Sequence, residues 1–169
     1  DEYFYGSDLL VAPVHQEGEK RRIYFPSGSW INLLDFRKMV GGNRIFQVDV
    51  PIDKIPVYIR EGACILSVMN GELQLGQSMT YEKKNTVLMS RALNETSGKR
   101  YADGKEIEYN ILGKTGEDFF MLRHAFETEF IVLLGFDRKP ESLELNGVSL
   151  SEGASLNALN YGSGWYWRE

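Results

Sequence analysis

The chain has almost none of the side chains on which metal and redox chemistry rely. Its one cysteine, Cys64, excludes an internal disulfide and a cysteine-built zinc site. The two histidines, His15 and His124, stand far apart and form no local metal motif. Nineteen basic residues against 24 acidic ones leave a net charge of −5, with no run of four Lys or Arg. A duplex nucleic-acid binder needs a basic face, so nucleic acid is not an expected partner. No apolar stretch approaches the roughly 18 residues that cross a bilayer, so no membrane partner is expected. A sustained 3.6-residue apolar period is also missing, and the best helix candidate, Leu156 to Leu159, is very short. The start, DEYFYGSDLL, has no initiator Met, basic segment or signal-like apolar run. It reads as the middle of a longer protein, with a processed mature chain as the other reading, and the compartment is not legible.

What is present is a β composition. Leu, Ile, Val and Phe make up 47 of 169 residues, above the roughly 20 % below which chains stay disordered. At roughly 150 residues per domain, the length allows one domain or two small ones. Seventeen glycines and five prolines cut the chain into short segments rich in Val, Ile, Tyr and Phe. Leu9–Val14, Arg22–Phe25, Ser29–Leu34, Ile45–Val50 and Ile55–Ile59 read as strands. Ser27-Gly28-Ser29 reads as a turn, and Gly41-Gly42-Asn43 as a hairpin turn joining Phe36–Val40 to Ile45–Val50. Further on, Glu72–Tyr81, Thr86–Leu93, Phe119–Phe126 and Glu129–Leu134 are strand candidates. Asp103-Gly104 and Asn146-Gly147 are strong hairpin signals. Trp165-Tyr166-Trp167 suits a last strand. The chain becomes more acidic after the 66–76 region, with 11 basic and 15 acidic residues from 71 to 169 against 8 and 9 from 1 to 70. A domain boundary is expected near residue 70.

No local pattern carries catalysis. There is no Gly-x-Ser-x-Gly elbow. Cys64, in the apolar run Gly62 to Leu66, reads as a buried structural thiol. His15 reads as a loop residue and His124 as filling a half-buried strand slot. The acids Asp1, Glu2, Asp8, Asp35, Asp49, Asp53 and Asp103 are the candidates for a glycosidase carboxylate pair. They fall at turns and polar loops, where nothing raises a carboxyl pKa. Gly41-Gly42-Asn43 lacks the Lys-Ser/Thr and helix of a phosphate loop. Asn94-Glu95-Thr96 matches the glycosylation tripeptide, which a chain of this length carries by chance. No catalytic, cofactor-binding or metal-binding residue is therefore expected. Trp30 reads as core. Trp165 and Trp167, on one face of an alternating strand, are the candidates for a sugar-stacking platform.

Four ordered blocks in the first part go further. Phe4-Tyr5-Gly6-Ser7-Asp8-Leu9-Leu10-Val11-Ala12-Pro13-Val14 resembles the segment just past the catalytic barrel in family 31 of the glycoside hydrolases, the α-glucosidase and α-xylosidase family. Arg22-Ile23-Tyr24-Phe25-Pro26-Ser27-Gly28-Ser29-Trp30 is similar to its Arg-x-x-Tyr-Leu-Pro-x-Gly-x-Trp stretch. Gly41-Gly42 matches its Gly-Gly pair. Pro51 to Ala63 resembles its Pro-Leu-Asp-x-Ile-Pro-Val-Phe-x-Arg-x-Gly stretch. Later, Tyr101-Ala102-Asp103-Gly104 is similar to its acidic distal turn, with Ala102 where an acid is common. Lys139 to Gly147 resembles its last-domain strand and turn.

The resemblance implies an all-β fold of two packed β-sandwich-like domains, the C-terminal fragment of a (β/α)8-barrel glycosidase. Residues 1–70 would be the proximal domain, including the exit from the barrel, and 71–169 the distal one. In that family the barrel carries both catalytic aspartates. The Trp-x-Asp-Met nucleophile block is absent here, as is the acid/base region, so no catalytic residue transfers and this chain alone is expected to hydrolyse nothing. The implied role is accessory: bracing the barrel of a retaining α-glycosidase, with that barrel as partner within the same parent chain. The alternative is a carbohydrate-binding module gripping glycan through Trp165 and Trp167. Tyr3, Phe4 and Tyr5 cannot all face one way, so an exposed apolar patch or self-association is expected of the chain on its own.

Overall fold

A computed structural model describes residues 2–15, 20–35, 39–69, 84–92, 94–102, 104–114, 116–124, 131–135, 139–154 and 164–165. Among these there is no helix, in agreement with the all-β expectation. The chain divides into two compact units, residues 1–135 and 136–169.

The first unit opens with β1 (Tyr3–Tyr5), β2 (Leu9–Val11), β3 (Lys20–Phe25), β4 (Ser29–Asn32), β5 (Met39–Gly41), β6 (Arg44–Asp49) and β7 (Val57–Arg60). They form two sheets. One has the order β1-β2-β7-β4-β5 and the other is the pair β3-β6. Alternation turns Ile23 and Phe25 of β3, and Phe46 and Val48 of β6, towards Leu10, Trp30, Val40 and Tyr58 of the larger sheet. Phe25 is the keystone, meeting Phe46 at 5.6 Å and Tyr58 at 4.7 Å between ring centroids, both edge-on. Burial, helped by the nearby charge of Asp35, pushes the Tyr58 hydroxyl up to about 12.

The hairpin expected at Gly41-Gly42-Asn43 is corrected. The turn is there, with Asn43 at φ 58°, but β5 pairs with β4 and β6 pairs with β3. The chain passes from one sheet to the other at this turn, and it does the same at Ser27-Gly28-Ser29. The two crossings lie against each other. A Cβ on Gly42 would strike the carbonyl oxygens of Pro26 and Gly28. Backbone therefore packs on backbone, which is the physical content of the Gly-Gly pair.

The remainder of this unit comprises β8 (Cys64–Met69), β9 (Lys84–Ser90), β10 (Thr96–Ala102), β11 (Lys105–Lys114), β12 (Glu117–His124) and β13 (Ile131–Gly135). Strands β13-β9-β8 form one sheet and β10-β11-β12 another. Cys64, Val87, Met89 and Ala92 meet Tyr109 and Ile111 in a second core, with Leu66, Phe120 and Leu122 against it. Strands β10 and β11 pair as the expected hairpin, with Ala102 opposite Lys105 and Gly104 at φ 72°, and Asp103 lies outside the described residues. Strand β12 pairs back on β11 with Lys114 opposite Glu117, a pairing not read from the sequence. Neither was the parallel pairing of β9 with β13. The strand expected over 72–81 and the short helix over 156–159 lie outside the described residues.

The second unit holds β14 (Glu144–Leu145) and β15 (Val148–Ser149), joined by the expected Asn146-Gly147 turn, with both residues at positive φ. It also holds β16 (Ser151–Glu152), which pairs in parallel with β17 (Gly164–Trp165).

Candidate functional site

The most exposed aromatic surface lies where the sequence places three consecutive rings. Strand β1 is the edge of the five-stranded sheet, and Tyr3, Phe4 and Tyr5 are 53 %, 46 % and 70 % exposed. Alternation splits them. Phe4 turns to the sandwich side, its ring 5.8 Å from Trp30. Tyr3 and Tyr5 point to the opposite face. The register there runs Tyr5, Leu9, Ile59, Ile31, Met39 across all five strands. Ile31 and Ile59 in the middle of that row are buried, and Leu9 is half-buried. The apolar face is thus covered at its centre and open at its β1 end. Leu34, Ile52 and Ile55 are exposed as well, and the Leu33 N–H to Val57 carbonyl bond of 2.8 Å sets Leu34 and Ile55 at one end of this sheet. An exposed edge strand with aromatic side chains is a docking feature, because its unpaired backbone and apolar area both gain from a partner.

A second construction fixes this sheet to the strands that follow. The segment Arg60 to Cys64 leaves β7 and enters β8 through Gly62 at φ +74°. A Cβ there would lie 2.6 Å from Thr96 Oγ1. The buried Ser90 hydroxyl donates to the Arg60 carbonyl at 2.6 Å and accepts from the Ala63 N–H at 3.0 Å. Arg100 donates from Nε to the Cys64 carbonyl at 2.9 Å and from Nη2 to Asp8 Oδ2 at 2.8 Å, and its guanidinium lies over Tyr109. Ser90→Ala is expected to destabilise the chain by about 1–3 kcal/mol, because two buried polar groups lose their shared partner. Urea denaturation followed by circular dichroism measures this. An unchanged midpoint would show that the hydroxyl is dispensable.

Of the sequence candidates, Trp165 is 9 % exposed and its indole N–H donates to the Leu150 carbonyl at 3.2 Å. Lys139 lies over its ring and pairs with Glu152. This is the setting of a core aromatic, with little ring face open to a sugar. Trp167 lies outside the described residues. Cys64 is fully buried, and burial pushes its thiol up to about 11, with Arg100 opposing and Asp8 adding to the shift. His15 is exposed, and the His124 side chain is not among those described. Glu2 meets Arg21 and accepts from the Tyr24 N–H, and Asp53 meets Lys54. Asp49 is exposed, and Asp1 and Asp103 lie outside the described residues. Among the described residues no three His, Cys, Asp or Glu are gathered as a metal site would need.

The exposed β1 edge, the crossing turns and the Gly62 exit all lie within one stretch, and known proteins are similar to it. Residues 1–65 match the glycosyl hydrolase family 31 C-terminal domain. Over 173 aligned residues, 98 % of the chain, it is 26 % identical to an isomaltosyltransferase of Sporosarcina globispora, of which it covers 16 %. A sulfoquinovosidase of Agrobacterium fabrum is 40 % identical over 62 residues, 36 % of this chain and 9 % of that protein. In fold, 99 % of the chain superposes on 16 % of the cycloalternan-forming enzyme of Listeria monocytogenes, with a TM-score of 0.78 at 24 % identity. The chain thus spans about a sixth of the length of the relatives that match it throughout.

Proposed function

We propose that this chain is the non-catalytic β region of a retaining α-glycosidase and that it braces the catalytic barrel through β1 and the open end of the five-stranded sheet. The proposal includes a proximal domain over 1–70 and a distal one over 71–169. The observation that carries it is the exposed Tyr3-Phe4-Tyr5 edge within the family 31 domain. Retaining hydrolysis needs two carboxylates about 5–5.5 Å apart across the scissile bond, and in this reading the barrel supplies both. The chain on its own is expected to show no turnover on aryl α-glucosides or α-xylosides, with the full-length parent as control. In that parent, Tyr3→Ser with Tyr5→Ser is expected to lower the barrel's thermal midpoint. Turnover that follows the 169-residue chain through purification, and disappears on changing one of its own acids, would overturn the non-catalytic reading. An unchanged midpoint in the double variant would overturn the docking reading.

One observation favours a second reading of the parent reaction. Similarity to the isomaltosyltransferase runs through nearly the whole chain, whereas similarity to the sulfoquinovosidase stops within the first part. The parent would then pass its glycosyl group to another sugar rather than to water. Chromatography of full-length parent with an α-glucan separates the two: longer or rearranged oligosaccharides mean transfer, and free monosaccharide alone means hydrolysis.

A further inference from the structure

Arg60 closes β7 on the face that carries Phe4 and Trp30. Its guanidinium carbon lies 4.7 Å from the Trp30 ring centroid and 5.8 Å from that of Phe4. Stacking satisfies the face of the guanidinium but leaves its in-plane N–H donors in need of acceptors. Its Nε is buried and has no hydrogen-bond partner. Arg21, Arg91 and Arg100 are each held by a carboxylate, from Glu2, Asp118 and Asp8. Arg60 makes no such pair among the described residues. A permanently charged, half-buried group thus lies against two rings, beside an exposed edge strand, with no carboxylate paired to it among the described residues.

We propose that Arg60 is the ionic anchor at the β1 edge, on the sandwich side opposite Tyr3 and Tyr5, taking a carboxylate from an Asp or Glu of the catalytic barrel on its terminal guanidinium nitrogens while Phe4 packs alongside. The inference rests on the docking reading above and adds the chemistry of the contact. Charge complementarity selects the occupant. A fixed guanidinium fork meets a carboxylate in two parallel bonds, whereas an apolar partner would bury the cation without any acceptor. Most of the length of the matching relatives lies outside this chain, so the partner surface is available within one polypeptide.

The test uses the full-length parent. Arg60→Lys puts a primary amine at this position, and a water-soluble carbodiimide joins an amine to a touching carboxylate as an amide, with loss of water. Peptide mass spectrometry is expected to find position 60 joined to an acid of the barrel. Hydrogen exchange of β1 and β2 amides is expected to quicken about tenfold in Arg60→Met and much less in Arg60→Lys, which keeps the charge. Near-ultraviolet circular dichroism checks that the methionine variant keeps the Trp30 environment, and the crosslink is readable even if it does not. Joining only to acids of this chain, such as Asp8 or Glu61, or no joining at all, with β1 still protected, would overturn the anchor and leave docking intact. Wild-type β1 amides exchanging as fast as free peptide would overturn docking itself, and the anchor with it.

Discussion

Gly42→Ala is expected to cost about 3–5 kcal/mol, near the top of the range for a single added methyl group. The new Cβ would meet three backbone atoms at once: the carbonyl oxygens of Pro26 and Gly28, and the Gly28 nitrogen at 2.7 Å. No side-chain rotation relieves a clash with backbone, so one of the two crossings must move. Both crossings carry strands from one sheet to the other, and moving either disturbs the Phe25, Phe46 and Tyr58 contacts between them. That is a large share of the roughly 5–15 kcal/mol that holds a domain folded. The neighbouring Gly41→Ala is the control. Nothing lies within 4 Å of its Cβ position, and its φ is not in the left-handed region. It is expected to stay within about 0.5 kcal/mol of the parent. Urea midpoints of the two variants measure the contrast, and similar midpoints would show that the close approach at Gly42 yields easily.

Trp30→Ala is expected to cost about 3–5 kcal/mol, the usual range for removing a fully buried aromatic. Trp30 is wholly inaccessible, touches Phe4, underlies the Arg60 guanidinium and donates its indole N–H to the Pro26 carbonyl at 3.2 Å. The substitution opens a cavity, leaves that carbonyl without its donor and removes the surface on which Arg60 rests. Trp30→Phe restores part of the apolar area but not the hydrogen bond, and is expected to fall between the two. Guanidinium unfolding followed by circular dichroism reads both. A loss below about 1.5 kcal/mol for the alanine variant would mean that the sandwich closes over the gap.

The strands were legible because short β-rich runs between glycines and prolines have few alternatives. The Asp103-Gly104 and Asn146-Gly147 hairpins were legible because their backbone demands positive φ. Gly41-Gly42-Asn43 shows where this reasoning stops. The turn chemistry is local and was read correctly, but which strands pair across it depends on Pro26 and Gly28, and no window around residue 42 contains that information. The parallel pairing of β9 with β13 is hidden for the same reason. At the site, the three consecutive aromatics announced an unfilled face, since a strand cannot turn all of them inward. Arg60 was visible only as one letter of a motif. Its significance is the lack of an acceptor, a property of the folded surroundings. Ser90 and Arg100 had no local signal either, because their partners are 30 and 92 residues away.

That last separation governs the order in which the molecule can be made. During synthesis from the N-terminus, Asp8 leaves the ribosome long before Arg100 exists to neutralise it. All strands of the first sandwich, by contrast, are present once Arg60 has emerged. The sandwich is therefore expected to close first as a nascent unit, with its exit segment loose. The Ser90 and Arg100 contacts then seal it, and the β8-β9 sheet waits for Ile131–Gly135 to gain its parallel strand. A nascent chain that has emerged only as far as residue 70 would present a closed sandwich whose Arg60-to-Cys64 exit is still open to proteases.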